Sequence, residues 1–227
     1  MPFSTGGVRC IAHRGFAETN PENTVTAVRS AAEHTDVIEI DVRRCGSGEL
    51  VVLHDETVER VTDGTGRVAE LSAAELAGLD VLDSGDGVPT LRSLLDATPA
   101  GVELVFDLKE DGVAADALDA ADDAGVEVLV SSFSADVLEA ASQVGADRLA
   151  FLAAEGDEQG LLNVARDLGC AAIHPHWQLC VDEFVDRAHD AGLDVNAWTV
   201  PSRHDAAALT EVGVDGVIVD RPAVCNE

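Results

Sequence analysis

The chain has 227 residues, 46% of them hydrophobic, which suits one domain over 1–227 and excludes disorder or a disulfide scaffold. No apolar run reaches the roughly 18 residues of a membrane span, and the start MPFSTGGVRC lacks a leader's basic head and long apolar stretch. Against 43 acidic residues stand 14 basic ones, a net charge of −29 that repels nucleic acid and anionic membranes.

A β-branched strand is predicted at 8–12, then a helix over 22–33 with Asn20 as cap and Pro21 in the first turn. A second strand at 37–41 runs into a hairpin turning at Gly46-Ser47-Gly48-Glu49, which pairs Cys45 with Leu50 and sets Asp41 opposite His54. The stretch 67–99 holds two short helices placed over or beside the end of that strand. From there strands at 102–108, 126–131, 148–152, 171–174, 194–199 and 217–220 alternate with helices at 113–124, 135–144, 161–168, 181–191 and 203–212. Gly145, Gly169, Gly192 and Gly213 stand where helix-ending residues belong. Eight strands with intervening helices predict a (β/α)8 TIM barrel carrying a short insertion after the second strand. No GxGxxG follows the first strand, as a dinucleotide-binding open sheet would require.

Five cysteines, an odd number with no CxxC, read as small buried hydrophobes of a reducing, cytoplasmic protein. Lys109 is the only lysine, and the acidic excess is spread along the chain. Such a surface is expected of a halophilic protein, since molar salt shortens the Debye length to about 3 Å.

In a (β/α)8 barrel the reacting groups lie where strands end. Those positions hold His13-Arg14, Glu39-Ile40-Asp41, His54-Asp55, Asp107-Leu108-Lys109 and Trp198-Thr199. Charges inside parallel strands are costly unless paired or metal-bound, and Arg43 and Arg44 are the structural alternative for Glu39 and Asp41. Three carboxylates without a neighbouring cysteine suit one hard divalent cation, Mg²⁺ or Ca²⁺. Arg14 and Lys109 bind anions, and two histidines near pKa about 6.5 divide the work of base and acid. Phosphodiester cleavage is the chemistry this set serves best, with the positive end of the 22–33 helix facing the same site. His34, His189 and His204 fall in helical segments and read as structural. His174-Pro175-His176 resembles an HxH metal pair but has no further ligands.

The pieces AHRG (12–15), PENT (21–24), EIDV (39–42), VVLHDETVERVTDGTG (51–66), FDLK (106–109), SSFS (131–134), AWTV (197–200) and GVIVDRP (216–222) resemble the glycerophosphodiester phosphodiesterases. These are metal-dependent enzymes with a phospholipase-C-like barrel that cleave glycerophosphodiesters to sn-glycerol 3-phosphate and an alcohol. The resemblance implies His13 and His54 as the acid–base pair; His13 is read as the initial base and His54 as the acid, though no feature of the sequence fixes that order. It implies Glu39, Asp41 and Asp107 as metal ligands, and Arg14, Lys109, Trp198 and Glu22 around the substrate, Glu22 in a supporting position. The implied partner is a small glycerophosphodiester, not nucleic acid or a membrane. Two departures stand out: Asp107 where the family usually has Glu, and Pro201 after the WTV segment. The rival readings are a lyase-type phospholipase that stops at a cyclic phosphate and a catalytically silent barrel that binds phosphodiesters.

Overall fold

The computed structural model describes residues 4–5 and 7–225; the leader-free reading of the N-terminus falls partly outside them. A short strand β1 (Ser4–Thr5) folds back antiparallel on β2 (Val8–His13), which is followed by helix α1 (Val25–Ala31). Strand β3 (Val37–Arg44) turns back antiparallel into β4 (Leu50–Val52), and helices α2 (Ala73–Ala77) and α3 (Leu91–Ala97) follow. Next come β5 (Glu103–Leu108), α4 (Ala114–Ala124), β6 (Val128–Ser132), α5 (Ala135–Gln143) and β7 (Leu149–Ala153). The remaining elements are α6 (Glu158–Asp167), β8 (Ala172–Pro175), α7 (Asp182–Asp190), β9 (Asp194–Ala197), α8 (Arg203–Val212), β10 (Gly216–Val219) and α9 (Pro222–Cys225).

Eight of these strands pair in parallel, in the order β2, β3, β5, β6, β7, β8, β9 and β10, and β10 pairs with β2 to close the ring. The expected (β/α)8 barrel is formed. Alternation along the strands sends one set of side chains inward and the other out against the helices. Ile11, Val37, Val105, Leu129, Ala150, Ala172 and Ile218 fill the lumen as one apolar layer, with Trp198 resting on it. Outward residues such as Cys10, Ala12, Ile38, Ile40 and Phe106 join the larger core under the helices. The mouth above the lumen layer is where the strand-end polar groups collect.

The insertion after β3 builds a small apolar core of its own from Cys45, Val51, Leu53, Val58, Val61, Val68, Leu76, Val81 and Val88. It holds one of the two expected short helices, α2, whose Ser72 and Glu75 form a reciprocal capping box. The other, α3, packs against α1 and α4 as the outer helix that returns the chain to β5.

Three expectations need correction. The hairpin register is one residue off: Arg44 pairs with Leu50, Cys45 N–H bonds the Glu49 carbonyl, and Leu53 N–H bonds the Asp41 carbonyl. The turn spans three residues rather than four because Gly48, at φ +103°, takes a left-handed conformation that closes it early. Helix α1 begins at Val25, not near Pro21, because Asn23 sits at φ +61° and Thr24 is the cap, accepting from Ala27 N–H at 3.1 Å. The PENT side chains therefore reach the site themselves, in place of a helix terminus. Finally, Cys10 and Cys225 are joined by a disulfide, since α9 packs on α8 and on β10, the neighbour of β2, with the two Cα atoms 5.8 Å apart. Cys45, Cys170 and Cys180 are free and buried, as expected of small hydrophobes, but cysteine usage no longer argues for a reducing compartment. Among the described residues, no helix is long and apolar enough to cross a membrane.

Candidate active site

Strand register assembles the site. His13 pairs with Glu39 across β2 and β3, and Asp41 pairs with Asp107 across β3 and β5, so all four stand side by side at the barrel's mouth. They border a cavity of about 240 Å³ together with Arg14, His54, Lys109, Ser131, Phe133, Leu152, His174, Trp198, Thr199 and Ile218. The chain after His13 is unusual. Arg14, Gly15 and Phe16 have φ of +52°, +76° and +68°, three successive left-handed residues. This tight turn aims Arg14 N–H at Glu39 Oε2, 3.0 Å away, and brings the guanidinium back over Asp41.

Each histidine of the expected pair is held by an aspartate. His13 Nδ1 lies 2.6 Å from Asp220 Oδ1, and His54 Nδ1 lies 2.6 Å from Asp55 Oδ1. With both Nδ1 atoms committed, each ring has Nε2 free for chemistry. Although His54 is not directly opposite Asp41, its carbonyl accepts from Arg43 Nε at 2.8 Å, which ties the residue back to β3. The two rings titrate in opposite directions. Burial pulls His13 down, but the bond to Asp220 and the charge of Glu39 more than offset it, so its pKa is raised. Burial, aided by Arg14 and Lys109, lowers His54 despite Asp41.

Glu39, Asp41 and Asp107 are buried, and each offers an oxygen within 4.8 Å of the other two. Arg43 and Arg44 do not neutralise them: Arg43 serves the His54 carbonyl and Glu110, and Arg44 serves Asp116. The nearby cations are Lys109, whose Nζ bonds Asp107 and lies 2.7 Å from Asp41, and Arg14, with Nε 3.1 Å from Asp41. Two cations do not balance three buried carboxylates. Burial raises Asp41, yet Lys109 and Arg14 hold it well below the usual carboxylate range. Burial and the neighbouring Asp41 push Glu39 up to about 7 and Asp107 up to about 6. Asp107 Oδ1 is also buried without a hydrogen-bond partner among the described residues. A charge deficit, an orphaned carboxylate oxygen and an all-oxygen donor set fit a hard divalent cation, and the shorter Asp107 still reaches the cluster.

Glu22 does not border the cavity. Its carboxylate is taken up by Arg14 Nη1 at 2.9 Å and by both terminal nitrogens of Arg60 at 2.8 Å, so it positions Arg14 rather than touching a ligand. Trp198 lines the cavity wall, its Nε1 donating to the His174 carbonyl at 2.8 Å. Sequence reasoning missed Asp220, Asn23 and Arg60. All three lay inside quoted motifs, GVIVDRP, PENT and VVLHDETVERVTDGTG, where nothing local marks Asp220 as His13's partner, Arg60 as Glu22's or Asn23 Nδ2 as Asp41's, at 2.7 Å. His174 and His176 do not converge: one faces the lumen against Asn196, the other accepts from Gln178 N–H.

The model of the glycerophosphoryl diester phosphodiesterase family matches residues 13–224. The chain belongs to this family. It is 30% identical over 227 residues to the glycerophosphodiester phosphodiesterase of Caldanaerobacter subterraneus subsp. tengcongensis, covering 93% of each chain. Among solved structures it is similar to a glycerophosphoryl diester phosphodiesterase from Silicibacter pomeroyi, described as putative (TM-score 0.87, 25% identity, 96% and 91% of the two chains). It is also similar to an Oleispira antarctica phosphodiesterase in complex with the product sn-glycerol-3-phosphate (TM-score 0.85, 27% identity, 95% and 94% covered).

Proposed function

We propose that this member of the family hydrolyses glycerophosphodiesters to sn-glycerol 3-phosphate and an alcohol, within one domain over 1–227. The observation that carries the reading is the pair of aspartate-held histidines facing one cavity with three buried carboxylates, an arginine and a lysine. Glu39, Asp41 and Asp107 would hold one divalent cation, Mg²⁺ or Ca²⁺. When bound, such an ion supplies positive charge to the non-bridging phosphate oxygens and completes the charge balance of the cluster. Arg14 and Lys109 orient the phosphodiester, Arg14 being fixed by Glu22 and Lys109 by Asp41 and Asp107.

His54, whose pKa is lowered, fits the base that takes a proton at Nε2 from the glyceryl 2-hydroxyl as its oxygen bonds to phosphorus and the other alcohol leaves; water then opens the cyclic phosphate to glycerol 3-phosphate. His13, whose pKa is raised, fits the acid that gives a proton to the departing alkoxide. That order is the reverse of the one the sequence suggested; its causes are Asp220 and Glu39 beside His13, and burial with Arg14 and Lys109 beside His54. Trp198 and Phe133 provide an apolar wall for the part of the substrate that carries no charge.

The test is glycerol 3-phosphate release from glycerophosphocholine in molar KCl, with Mg²⁺, with Ca²⁺ and with chelator, beside His13→Ala. Release that needs the ion and falls by about 10²-fold or more in the variant is the expected result. Phosphorus NMR of the product distinguishes the lyase reading, under which a cyclic phosphate would persist. Absence of release from any glycerophosphodiester with any ion would favour the silent barrel.

A further inference from the structure

His174 borders the cavity, yet nothing in the chemistry above uses it. It projects from β8 into the lumen and is almost fully buried, with Asn196 of β9 buried beside it. Asn196 Nδ2 lies 3.0 Å from His174 Nε2. With the Asn196 amide assigned so that Nδ2 donates, Nε2 accepts and the ring hydrogen is on Nδ1, while Asn196 Oδ1 is left buried without a partner among the described residues. Burial, with the charge of Arg9, lowers the pKa of His174 to about 3, so the ring stays neutral with a single N–H. No described residue accepts from Nδ1, and the ring lines the cavity, so that N–H is offered to whatever fills it.

The position of this donor is set by topology. Counting round the closed ring, β8 is four strands from β3 in either direction, so His174 lies across the lumen from Glu39 and Asp41. Between them the wall is made of Leu152, Trp198, Phe133 and Ile218, with the hydroxyl-bearing Ser131 and Thr199. A phosphodiester gripped on the β3 side therefore extends one of its alcohol substituents across the lumen toward a lone N–H. A substituent without an oxygen there would leave a buried donor unpaired, which is costly.

We propose that His174 is a specificity-determining residue, which selects the glyceryl half of the substrate by donating Nδ1–H to its terminal hydroxyl. The inference rests on the hydrolase reading and adds to it an orientation: glyceryl group inward, the other alcohol toward the mouth. The glyceryl 2-hydroxyl is next to the phosphate-bearing carbon and stays near the histidine pair, so the terminal hydroxyl is the one that reaches β8.

Two diesters separate the possibilities: glycerophosphocholine, and its analogue with hydrogen in place of the terminal glyceryl hydroxyl. Wild-type protein is expected to favour the first by about ten- to a hundredfold in kcat/KM, chiefly through KM. His174→Leu is expected to raise KM for glycerophosphocholine by a similar factor and to leave the analogue nearly unchanged, removing the preference. His174→Gln, which keeps an N–H donor, should restore part of it. Equal losses on both diesters in His174→Leu would make His174 a packing residue and overturn the proposal, as would a wild type that does not discriminate. If His174→Leu fails to fold, inhibition of the wild type decides: sn-glycerol 3-phosphate must inhibit more strongly than 1,2-propanediol phosphate. A wild type that hydrolyses neither diester overturns the functional reading itself, whereas hydrolysis of both without preference overturns this inference alone.

Discussion

At the scale of single residues, the two histidines differ through their neighbours. Asp220 bonds His13 and, with Glu39, carries its pKa above the ordinary value, while burial and two cations take His54 below it. A base that must be neutral fails as pH falls through the His54 pKa, and an acid that must be protonated fails as pH rises through the His13 pKa. The profile of kcat/KM is therefore expected to be a bell wider on both sides than two unperturbed histidines would give. Asp220→Asn leaves an acceptor for Nδ1–H but removes the negative charge that raises His13, so the alkaline limb should move to lower pH while the acid limb stays in place. Movement of the acid limb instead would assign the roles the other way. Both histidines were legible in the sequence, because charged groups at apolar strand ends are conspicuous. Asp220 was not, since 207 residues separate it from His13 and only barrel closure brings them together.

At the scale of elements, the turn after β2 and the start of α1 act as one unit. Gly15 has φ +76°, and a Cβ there would lie 2.7 Å from Ala27 Cβ and 2.9 Å from the Ala27 carbonyl carbon. Gly15→Ala thus meets both a left-handed backbone and a backbone collision, a cost of roughly 3 kcal/mol or more. It is also expected to shift Arg14 away from Asp41. A drop in melting temperature together with a rise in KM for the diester would show both effects; a normal KM would separate the turn from phosphate binding. The PENT motif pointed to this region, but local pattern placed the helix start too early. Asn23 adopts its left-handed φ while bonding Asp41 on another strand through both its amide nitrogen and its amide oxygen. No pattern of neighbouring residues encodes that contact. The same holds for the hairpin, where a turn one residue shorter than expected moved Leu53, not His54, opposite Asp41.

At the scale of the whole molecule, the ends of the chain meet. The Cys10–Cys225 disulfide spans 215 residues and fastens α9 to β2 beside the seam where β10 closes the ring. In the chain-entropy view a loop of that length contributes about 5.4 kcal/mol. The double variant Cys10→Ser, Cys225→Ser is expected to fold but melt lower by several degrees, and an unchanged melting temperature would deny the link its stabilising role. The net charge of −29 acts on function as well, because an anionic substrate must approach through a negative field. Screening should relieve this, so KM for a glycerophosphodiester is expected to fall as KCl rises from low to molar concentration. A KM that does not respond to salt would confine the electrostatics to the cavity itself.

By itself the amino-acid sequence determined the alternation of strands and helices, and hence the barrel, because periodicity and helix-ending glycines are local properties. It also determined which residue types stand at strand ends, and with them the phosphodiester chemistry. Only the tertiary structure decided which of those groups touch. It paired His13 with Asp220 and Asn23 with Asp41, moved Glu22 behind Arg14, and set His174 across the lumen from the carboxylates. It also brought Cys10 to Cys225. These contacts follow from ring closure and strand register, which place residues side by side however far apart they lie along the chain.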